Sequence, residues 1–173
     1  MNENMFEIIL GDITKMKVDA IVNAANHSLL GGGGVDGAIH RQAGPLLLEE
    51  CRSLHGCHTG EAKITKGYQL PAAYVIHTVG PIYNGQETQK QELSDCYMNA
   101  LTLASEHNLH SIAFPAISTG AYGYPLEEAC QIAILSISHW LEAHPDYLMK
   151  IYLVCFDQST YDCYDQLMGI PEE

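Results

Sequence analysis

Short runs of apolar, β-forming residues alternate along this chain with longer segments whose apolar residues recur at the helical period. A run such as Ala20-Ile21-Val22 is apolar on both faces, which is typical of a strand covered by helices on both sides. The alternation predicts an α/β protein with a three-layer α/β/α arrangement and about six strands. Strands are predicted over residues 5–10, 19–24, 61–67, 74–80, 111–114 and 150–156, and helices over 36–43, 45–54, 86–108, 126–143 and 159–168.

One pair of predicted strands, 61–67 and 74–80, is joined by a connection too short to hold a crossover helix. We therefore expect this pair to be antiparallel and the sheet to be mixed. The 173 residues are enough for one full hydrophobic core, and no linker, internal repeat or low-complexity segment divides them. The sequence thus predicts a single domain over residues 1–173.

The charge balance is strongly acidic, with 8 Lys and Arg against 21 Asp and Glu and a net charge of −13. A field of this sign repels nucleic-acid phosphates and anionic lipids, so we expect no general nucleic-acid or membrane binding. No apolar run approaches the roughly 18 residues of a membrane span, and none is typical of a signal peptide. The six cysteines lack the dense spacing of a disulfide-rich secreted domain. We expect a cytoplasmic protein with reduced thiols.

The strand predicted at 19–24 leads through Asn26 into four consecutive glycines, Gly31 to Gly34, and then into a helix that Asp36 is predicted to open. Glycines lose the most backbone entropy on folding, but their bare N–H groups can approach a phosphate or sugar closely. In front of a helix N-terminus, such a loop is suited to an anion. A second glycine-containing loop, residues 116–125, also follows a strand and precedes a helix. Both loops are therefore expected at the carboxyl edge of the sheet, where α/β proteins bind ligands.

Other motifs are incomplete. Gly32, Gly34 and Gly37 spell G-x-G-x-x-G, but the polar residues 26–30 separate them from the strand, and no acidic residue follows at dinucleotide-binding spacing. No Gly-Lys-Ser/Thr sequence follows the glycines, which excludes the phosphate loop of nucleoside triphosphatases. Ser118 lacks the G-x-S-x-G context of a serine nucleophile.

A metal site is also disfavoured. Four candidate ligands fall within eight residues but lack a second ligand pair at zinc-site spacing; they are Cys51, His55, Cys57 and His58. Three further histidines lie in apolar stretches and are predicted to be packed or hydrogen-bonded rather than catalytic: His40, His77 and His139.

What remains is a pocket with two anion-binding loops, one carboxylate (Asp36), one amide (Asn26) and two rim aromatics (Tyr122 and Phe156). This set suits a nucleotide-sugar ligand better than a protein or a lipid. At the first strand end, Asp12 alone is most simply a cap for the segment that begins at Ile13.

Five segments together resemble the macrodomain family, specifically its MacroD-like branch of ADP-ribose-binding hydrolases, and they occur in the family's order. They are Gly11-Asp12-Ile13-Thr14, Asn23-Ala24-Ala25-Asn26, Gly31 to His40, His77-Thr78-Val79-Gly80-Pro81, and Phe114 to Tyr124. The resemblance covers essentially the whole chain. It implies a three-layer macrodomain fold with a deep cleft for ADP-ribose.

The resemblance also implies roles for individual residues. Asp12 would accept a hydrogen bond from the adenine amino group, the Ile13 amide would contact the ring, and Phe156 would stack on it. Asn26 would bind a distal-ribose hydroxyl, and Asp36 would orient or activate water. The pyrophosphate would be wrapped by the amides of Ser118, Thr119, Gly120, Ala121 and Tyr122, with Tyr122 also packing on the distal ribose. That ribose would be covered from the other side by Gly32, Gly33, Gly34 and Val35.

In this branch, the implied reaction is hydrolysis at the distal ribose. It removes mono-ADP-ribose from acidic side chains of modified proteins, and acetyl from O-acetyl-ADP-ribose, without a cofactor. A zinc-dependent branch replaces the glycine run with a Cys/His insert; this chain keeps Gly31 to Gly34, so no metal is predicted. Two alternatives stay open: a reader that binds ADP-ribose without chemistry, and a phosphatase acting on ADP-ribose 1″-phosphate.

Overall fold

A computed structural model describes residues 6–169. Within that range, six strands form one mixed sheet in the order β1-β6-β5-β2-β4-β3. All neighbouring strands are parallel except β3, which is antiparallel to β4 as expected. The strands are β1 Phe6–Leu10, β2 Ala20–Ala24, β3 Ala62–Lys66, β4 Tyr74–Thr78, β5 Ser111–Phe114 and β6 Lys150–Cys155; the helices are α1 Gly34–Ala43, α2 Pro45–Ser53, α3 Thr88–Glu106, α4 Leu126–Ala143 and α5 Gln158–Met168.

The expected start of α1 was wrong by two residues. The helix begins at Gly34 with Gly33 as its N-cap, so Asp36 lies in the first turn and does not open the helix. Gly34 and Val35 are therefore helical rather than part of the loop. Phe156 falls just beyond β6, and Met5, predicted in the first strand, lies outside the described residues.

Two hydrophobic clusters fill the two spaces between the sheet and its helices, which gives three layers. One contains α3, α4 and α5, with Ile76 and Phe114 from the sheet. The other contains α1 and α2, with Ile21 and Val75. Because alternate strand residues point to opposite faces, Asn23 and His77 share the α1 and α2 face with Ile21 and Val75.

The crossovers from two adjacent strands leave the sheet on opposite faces. The chain after β2 passes through α1 and α2 on one face, whereas the chain after β5 passes through α4 on the other. Such a divergence opens a crevice at the carboxyl ends of the two strands. Among residues 6–169, no helix combines the length and apolar character that crossing a membrane requires.

Candidate functional site

The predicted ligand-contacting segments all follow parallel strands and lie at one edge of the sheet. Across β1, β6, β5 and β2, in that order, stand Asp12, then Phe156, then the second loop (residues 115–125), then the glycine loop (residues 25–33). With neighbouring strands about 4.8 Å apart, this row is roughly 14 Å long. The site is therefore an elongated cleft across the sheet edge, with its two loops at the crevice between β5 and β2.

At one end of the row, Asp12 caps a short 3-10 turn over Ile13–Lys15. Its Oδ1 accepts hydrogen bonds from the Thr14 backbone N–H at 2.9 Å and from the Thr14 hydroxyl at 2.6 Å. The Thr14 hydroxyl is the main cause of a lowered pKa at Asp12. The capping role read from the sequence is confirmed. Oδ2 has no hydrogen-bond partner among the described residues, so capping leaves one carboxylate oxygen for a ligand.

Phe156 stands beside this end, because Leu10 pairs with Cys155 in the β1 and β6 register. Its side chain is 93% exposed, although a large aromatic ring is normally covered. An aromatic ring held bare next to an acceptor carboxylate suits a flat heterocycle with an amino group.

The second loop is held firmly from behind. The Ser118 hydroxyl donates to Pro81 O at 2.9 Å, Tyr124 N donates to Ser118 O at 2.9 Å, and Tyr83 N donates to Tyr122 O at 2.8 Å. Ser118 is buried with a φ of 68°, a conformation that costs energy for a residue with a Cβ. Across the part of the chain that the structure covers, the N–H groups of residues 118–122 donate to no acceptor. Backbone donors held in this way can bind an anion.

In the glycine loop, Asn26 and Asp36 meet at Gly32. A Cβ built on Gly32 would stand 3.1 Å from Asp36 Oδ2 and 3.4 Å from Asn26 Nδ2. Asn26 Nδ2 donates to Gly31 O at 3.0 Å, and its second N–H is free for a ligand. The N–H groups of residues 32–36 have no acceptor among residues 6–169, as expected at a helix N-terminus. The loop thus presents donors and one carboxylate oxygen at the same point.

Asp36 itself is buried, with 4% of its surface exposed. Its Oδ1 accepts a hydrogen bond of 2.9 Å from Asn23 Nδ2, and His40 Nε2 lies 3.4 Å from the same oxygen. Burial raises the pKa of the Asp36 carboxyl, and the Asn23 hydrogen bond and the His40 charge oppose that rise. Oδ2 faces Gly32 instead. A carboxylate with a raised pKa accepts a proton more readily from water than an ordinary one does.

Behind Asp36 lies a buried polar chain that reasoning from the sequence missed. Asn23 Nδ2 also contacts His77 Nδ1 at 3.2 Å, and His77 Nε2 lies 2.9 Å from Thr65 Oγ1. Asn23 and His77 are directly paired in the β2 and β4 register. The expectation that His77 is hydrogen-bonded is confirmed. His40 is half-buried beside Asp36, and the expectation of an apolar setting is wrong for His139, which is exposed.

Two further glycines belong to the site through close packing. A Cβ on Gly80 would collide with the Ser118 hydroxyl and the Ile117 side chain, and a Cβ on Gly37 would stand 2.6 Å from Gly32 O. Gly80 therefore lets the second loop lie against the end of β4. Gly80 stands in the segment Gly80-Pro81 that the family resemblance includes, and this was the only signal for it in the sequence.

Beside the glycine loop lies a cavity of about 240 Å³. Its walls include His27, which follows Asn26, and Tyr122 from the second loop, together with Gly80 and Glu92. Over residues 6–169, no group of three or more His, Cys, Asp or Glu side chains is placed to hold a metal ion. All six cysteines are unpaired, and five of them are buried.

The mixed six-stranded sheet lies between two helical layers and has two loops at the carboxyl ends of β5 and β2. This is the macrodomain class of fold. The family model of the Macro domain matches residues 22–133. The chain belongs to the macrodomain family. Asp12, on the N-terminal side, and β6 with the following Phe156, on the C-terminal side, lie outside the matched range.

Individual relatives agree with this assignment. The chain is 58% identical over 166 residues to the mouse ADP-ribose glycohydrolase MACROD1, covering 93% of this chain and 51% of the relative. It is 56% identical over 161 residues to a Macro domain-containing protein of Methanosarcina mazei, covering 92% and 86%. The Trypanosoma brucei macrodomain in complex with ADP-ribose is 48% identical with a TM-score of 0.91, covering 95% of this chain and 69% of that one. The chain spans about half the length of the mouse relative.

Proposed function

We propose that this chain, as a single macrodomain over residues 1–173, binds ADP-ribose and hydrolyses esters at its distal ribose. The substrates proposed are O-acetyl-ADP-ribose and proteins that carry mono-ADP-ribose on acidic side chains. A cytoplasmic location is part of the proposal and fits six unpaired thiols. The names of the mouse relative and of the trypanosomal complex point to the same ligand.

One observation carries the proposal: the order of groups across the sheet matches the order of groups along ADP-ribose. An acceptor carboxylate and a bare aromatic ring, at Asp12 and Phe156, suit adenine. The free N–H groups of Ser118, Thr119, Gly120, Ala121 and Tyr122 suit the pyrophosphate. Asn26, Gly32 and Gly33 of the glycine loop, together with Gly34, Val35 and Asp36 in the first turn of α1, suit the distal ribose. The Ile13 amide, which has no acceptor among the described residues, is available to the adenine ring.

The anionic pyrophosphate is bound here without a lysine or arginine from either loop. Backbone N–H groups and the N-terminus of α1 provide the positive potential instead. The net charge of −13 makes such a local arrangement necessary, because the long-range field of the protein repels the ligand. In this proposal Tyr122, which is half-buried in the second loop, packs on the distal ribose.

Hydrolysis then needs a positioned water and a proton acceptor. Asn26 holds a ribose hydroxyl, and Asp36 Oδ2, beside Gly32, accepts a hydrogen bond from the attacking water and takes up its proton. General-base assistance of this kind contributes about 10²–10⁴ in rate, and orientation of the bound ester supplies much of the rest. The Asn26 amide is half-buried, so it stays accessible to the ribose.

The test is turnover of O-acetyl-ADP-ribose by the wild type and by Asp36→Ala, with ADP-ribose affinity measured by calorimetry on both. We expect turnover to fall by about 10²–10⁴ in Asp36→Ala while ADP-ribose still binds. Binding without turnover in the wild type would make this chain a reader instead. Release of inorganic phosphate from ADP-ribose 1″-phosphate, with the ester left intact, would favour the phosphatase.

We propose that the reaction uses no metal. Full turnover after treatment with EDTA and gel filtration is the expected result. Loss of turnover that returns on adding Zn²⁺ or Mg²⁺ contradicts this part of the proposal and leaves the ADP-ribose assignment standing.

A further inference from the structure

The buried polar chain behind Asp36 has no part in the mechanism above, yet it is built from polar groups that are costly to bury. Asn23 and His77 are fully buried, and Thr65 is 2% exposed. A buried polar group costs about 1–3 kcal/mol if its hydrogen bonds are not made. These polar side chains lie among the apolar side chains of the hydrophobic cluster that contains α1 and α2. Packing alone does not explain why they are there.

Only one placement of the protons is consistent with the hydrogen bonds of this buried polar chain. The Asn23 amide nitrogen has only protons to offer, and it contacts both Asp36 Oδ1 and His77 Nδ1. His77 Nδ1 must therefore be an acceptor, so the proton of the neutral ring is on Nε2. That N–H points to Thr65 Oγ1 at 2.9 Å. Burial supports the neutral ring, since it lowers the pKa of His77 to about 3.

This arrangement fixes which way the Asn23 amide faces. With both N–H groups engaged, its Oδ1 is left buried without a partner among residues 6–169. The opposite orientation would set that oxygen against the Asp36 carboxylate. The lone pair on His77 Nδ1 is what stabilises the observed orientation from the other side.

We propose that His77 is a positioning residue for Asp36: through the Asn23 amide, it holds Asp36 Oδ1 inside the protein and leaves Oδ2 facing Gly32 and Asn26. Thr65 on β3 is the anchor, because its hydroxyl can accept the Nε2–H of the His77 tautomer that the Asn23 amide requires. The inference rests on the proposed hydrolysis for its effect on rate, but the coupling between His77 and Asp36 is a property of the free protein.

Other titratable groups around Asp36 come from two helices. His40 on α1 lies 3.4 Å from Oδ1, and Cys51 on α2 contacts His77 Nε2 at 3.8 Å. Burial raises the pKa of Cys51 to about 11, with further contributions from the charges of Asp36 and Glu50. The thiol is therefore neutral at physiological pH.

The test weakens the buried polar chain at Thr65, the end farthest from Asp36, where no ligand is proposed to bind. Thr65→Val removes the hydroxyl that contacts His77 Nε2 and keeps the shape of the side chain, whereas Thr65→Ser keeps the hydroxyl. Thr78→Val is the matched control: it removes a buried hydroxyl on β4 that donates to Glu61 O, outside the chain to Asp36. His77→Leu is the direct variant, and Thr65→Val keeps the test valid if that protein does not fold.

The first readout needs no turnover. The ionisation of Asp36 is followed by NMR with ¹³C-labelled aspartate, its resonance identified from Asp36→Asn, and the tautomer of His77 from ¹⁵N shifts. We expect Thr65→Val to raise the pKa of Asp36, because His77 then loses its anchor and the Asn23 donor to the carboxylate is oriented less well. Thr78→Val and Thr65→Ser should leave that pKa at the wild-type value.

The second readout is kinetic. In Thr65→Val, we expect kcat to fall about fivefold to tenfold, as for loss of one neutral hydrogen bond. The acid limb of the kcat profile should move to higher pH, and the ADP-ribose affinity should stay unchanged. An unchanged Asp36 titration in Thr65→Val, a shift that Thr78→Val reproduces, or a wild-type His77 protonated on Nδ1 would overturn the inference. If the wild type shows no turnover, the proposed hydrolysis fails, and the carboxyl titration alone decides the role of His77.

Discussion

The two loops of the cleft differ in where hydrogen bonds hold them to the rest of the protein. The second loop, residues 115–125, is anchored on its rear side by the Ser118 hydroxyl, the Tyr122 carbonyl and the Tyr124 amide. The glycine loop, residues 25–33, is joined to the rest of the protein at its start, where Ala25 N donates to Thr78 O and Cys57 N donates to His27 O, but further along a Cβ on Gly33 would meet nothing within 4 Å. One loop is anchored from behind and carries no Asp, Glu, His, Lys or Arg between residues 115 and 125, whereas the other is open at its glycines and leads directly to Asp36.

This difference indicates a division of labour. N–H donors on a loop that hydrogen bonds already hold from behind should bind a pyrophosphate with little further loss of entropy. An open loop can close over the ribose and still admit a water and release the product. The comparison predicts that damage to the second loop affects binding and stability together, whereas changes in the glycine loop affect the ligand alone.

The largest effect is expected from Gly80→Ala, which acts on the second loop from behind. The new Cβ collides with the Ser118 hydroxyl and Ile117 in a buried position, and overpacking of this kind costs about 1–3 kcal/mol. We expect a lower midpoint of thermal unfolding and weaker ADP-ribose binding together. Differential scanning calorimetry and isothermal titration calorimetry measure the two.

Gly120→Ala is the control for this prediction, because its Cβ would meet nothing within 4 Å although the residue lies in the same loop. Its thermal midpoint should match that of the wild type. If Gly80→Ala binds ADP-ribose normally in spite of lower stability, the second loop does not depend on its anchors, and the proposed division between the loops is wrong.

The architecture could be predicted from the sequence, because the period of the apolar residues distinguishes strands from helices. The buried face of α3 follows the helical period of the sequence and includes Leu93, Tyr97, Ala100, Leu101 and Ala104. The start of α1 was not, since glycine has no strong preference and the helix begins inside the glycine run at Gly34. The faces of Asn23 and His77 follow from strand alternation, but their pairing requires knowing that β2 and β4 are neighbours.

The site was predicted largely through the family resemblance, and the structure brings these segments to one edge of the sheet. Asp12 shows why reasoning from one residue fell short: capping of Thr14 and a free Oδ2 coexist, so the two readings of the sequence were not alternatives. Thr65 and Gly80 carried no pattern of their own. Each is defined by a side chain distant in sequence, at separations that only the folded chain brings together.

A smaller effect is expected from Gly33→Val, in the open glycine loop. The backbone at Gly33, with φ −91°, accepts any residue, and the side chain extends into free space. Because Val is a poorer N-cap than Gly, the free energy of unfolding should fall, but by no more than about 1 kcal/mol. ADP-ribose affinity should fall about fivefold or more, since methyl groups inserted into a close contact cost about 1–3 kcal/mol.

Gly32→Ala tests whether a small residue is needed here to leave room for the Asp36 carboxylate, whereas Gly33→Val tests whether it is needed to leave room for the ligand. Its Cβ would press on Asp36 Oδ2 at 3.1 Å, so we expect kcat to fall more than affinity, the reverse of Gly33→Val. Urea unfolding, calorimetry and steady-state kinetics on both variants distinguish the two cases. Unchanged ADP-ribose affinity in Gly33→Val would contradict closure of this loop over the ribose.

The smallest effect is expected from Asp36→Asn, and it is a gain in stability. Burial raises the pKa of Asp36 above its ordinary value of 3.8, so the folded protein binds this proton more tightly than the unfolded chain does. Stability contributed by the protonated carboxyl is complete below the ordinary pKa and is lost as pH rises through the folded pKa. At pH 7 the wild type therefore holds an unfavourable buried charge that the amide variant lacks, while the hydrogen bond from Asn23 is kept. The thermal midpoint of Asp36→Asn should exceed that of the wild type by a few degrees at pH 7, and the difference should disappear as pH falls below about 4. A variant less stable than the wild type at pH 7 would mean that Asn23 and His40 stabilise the charge fully, and the glycine loop would then hold its carboxylate as firmly as the second loop holds its amides.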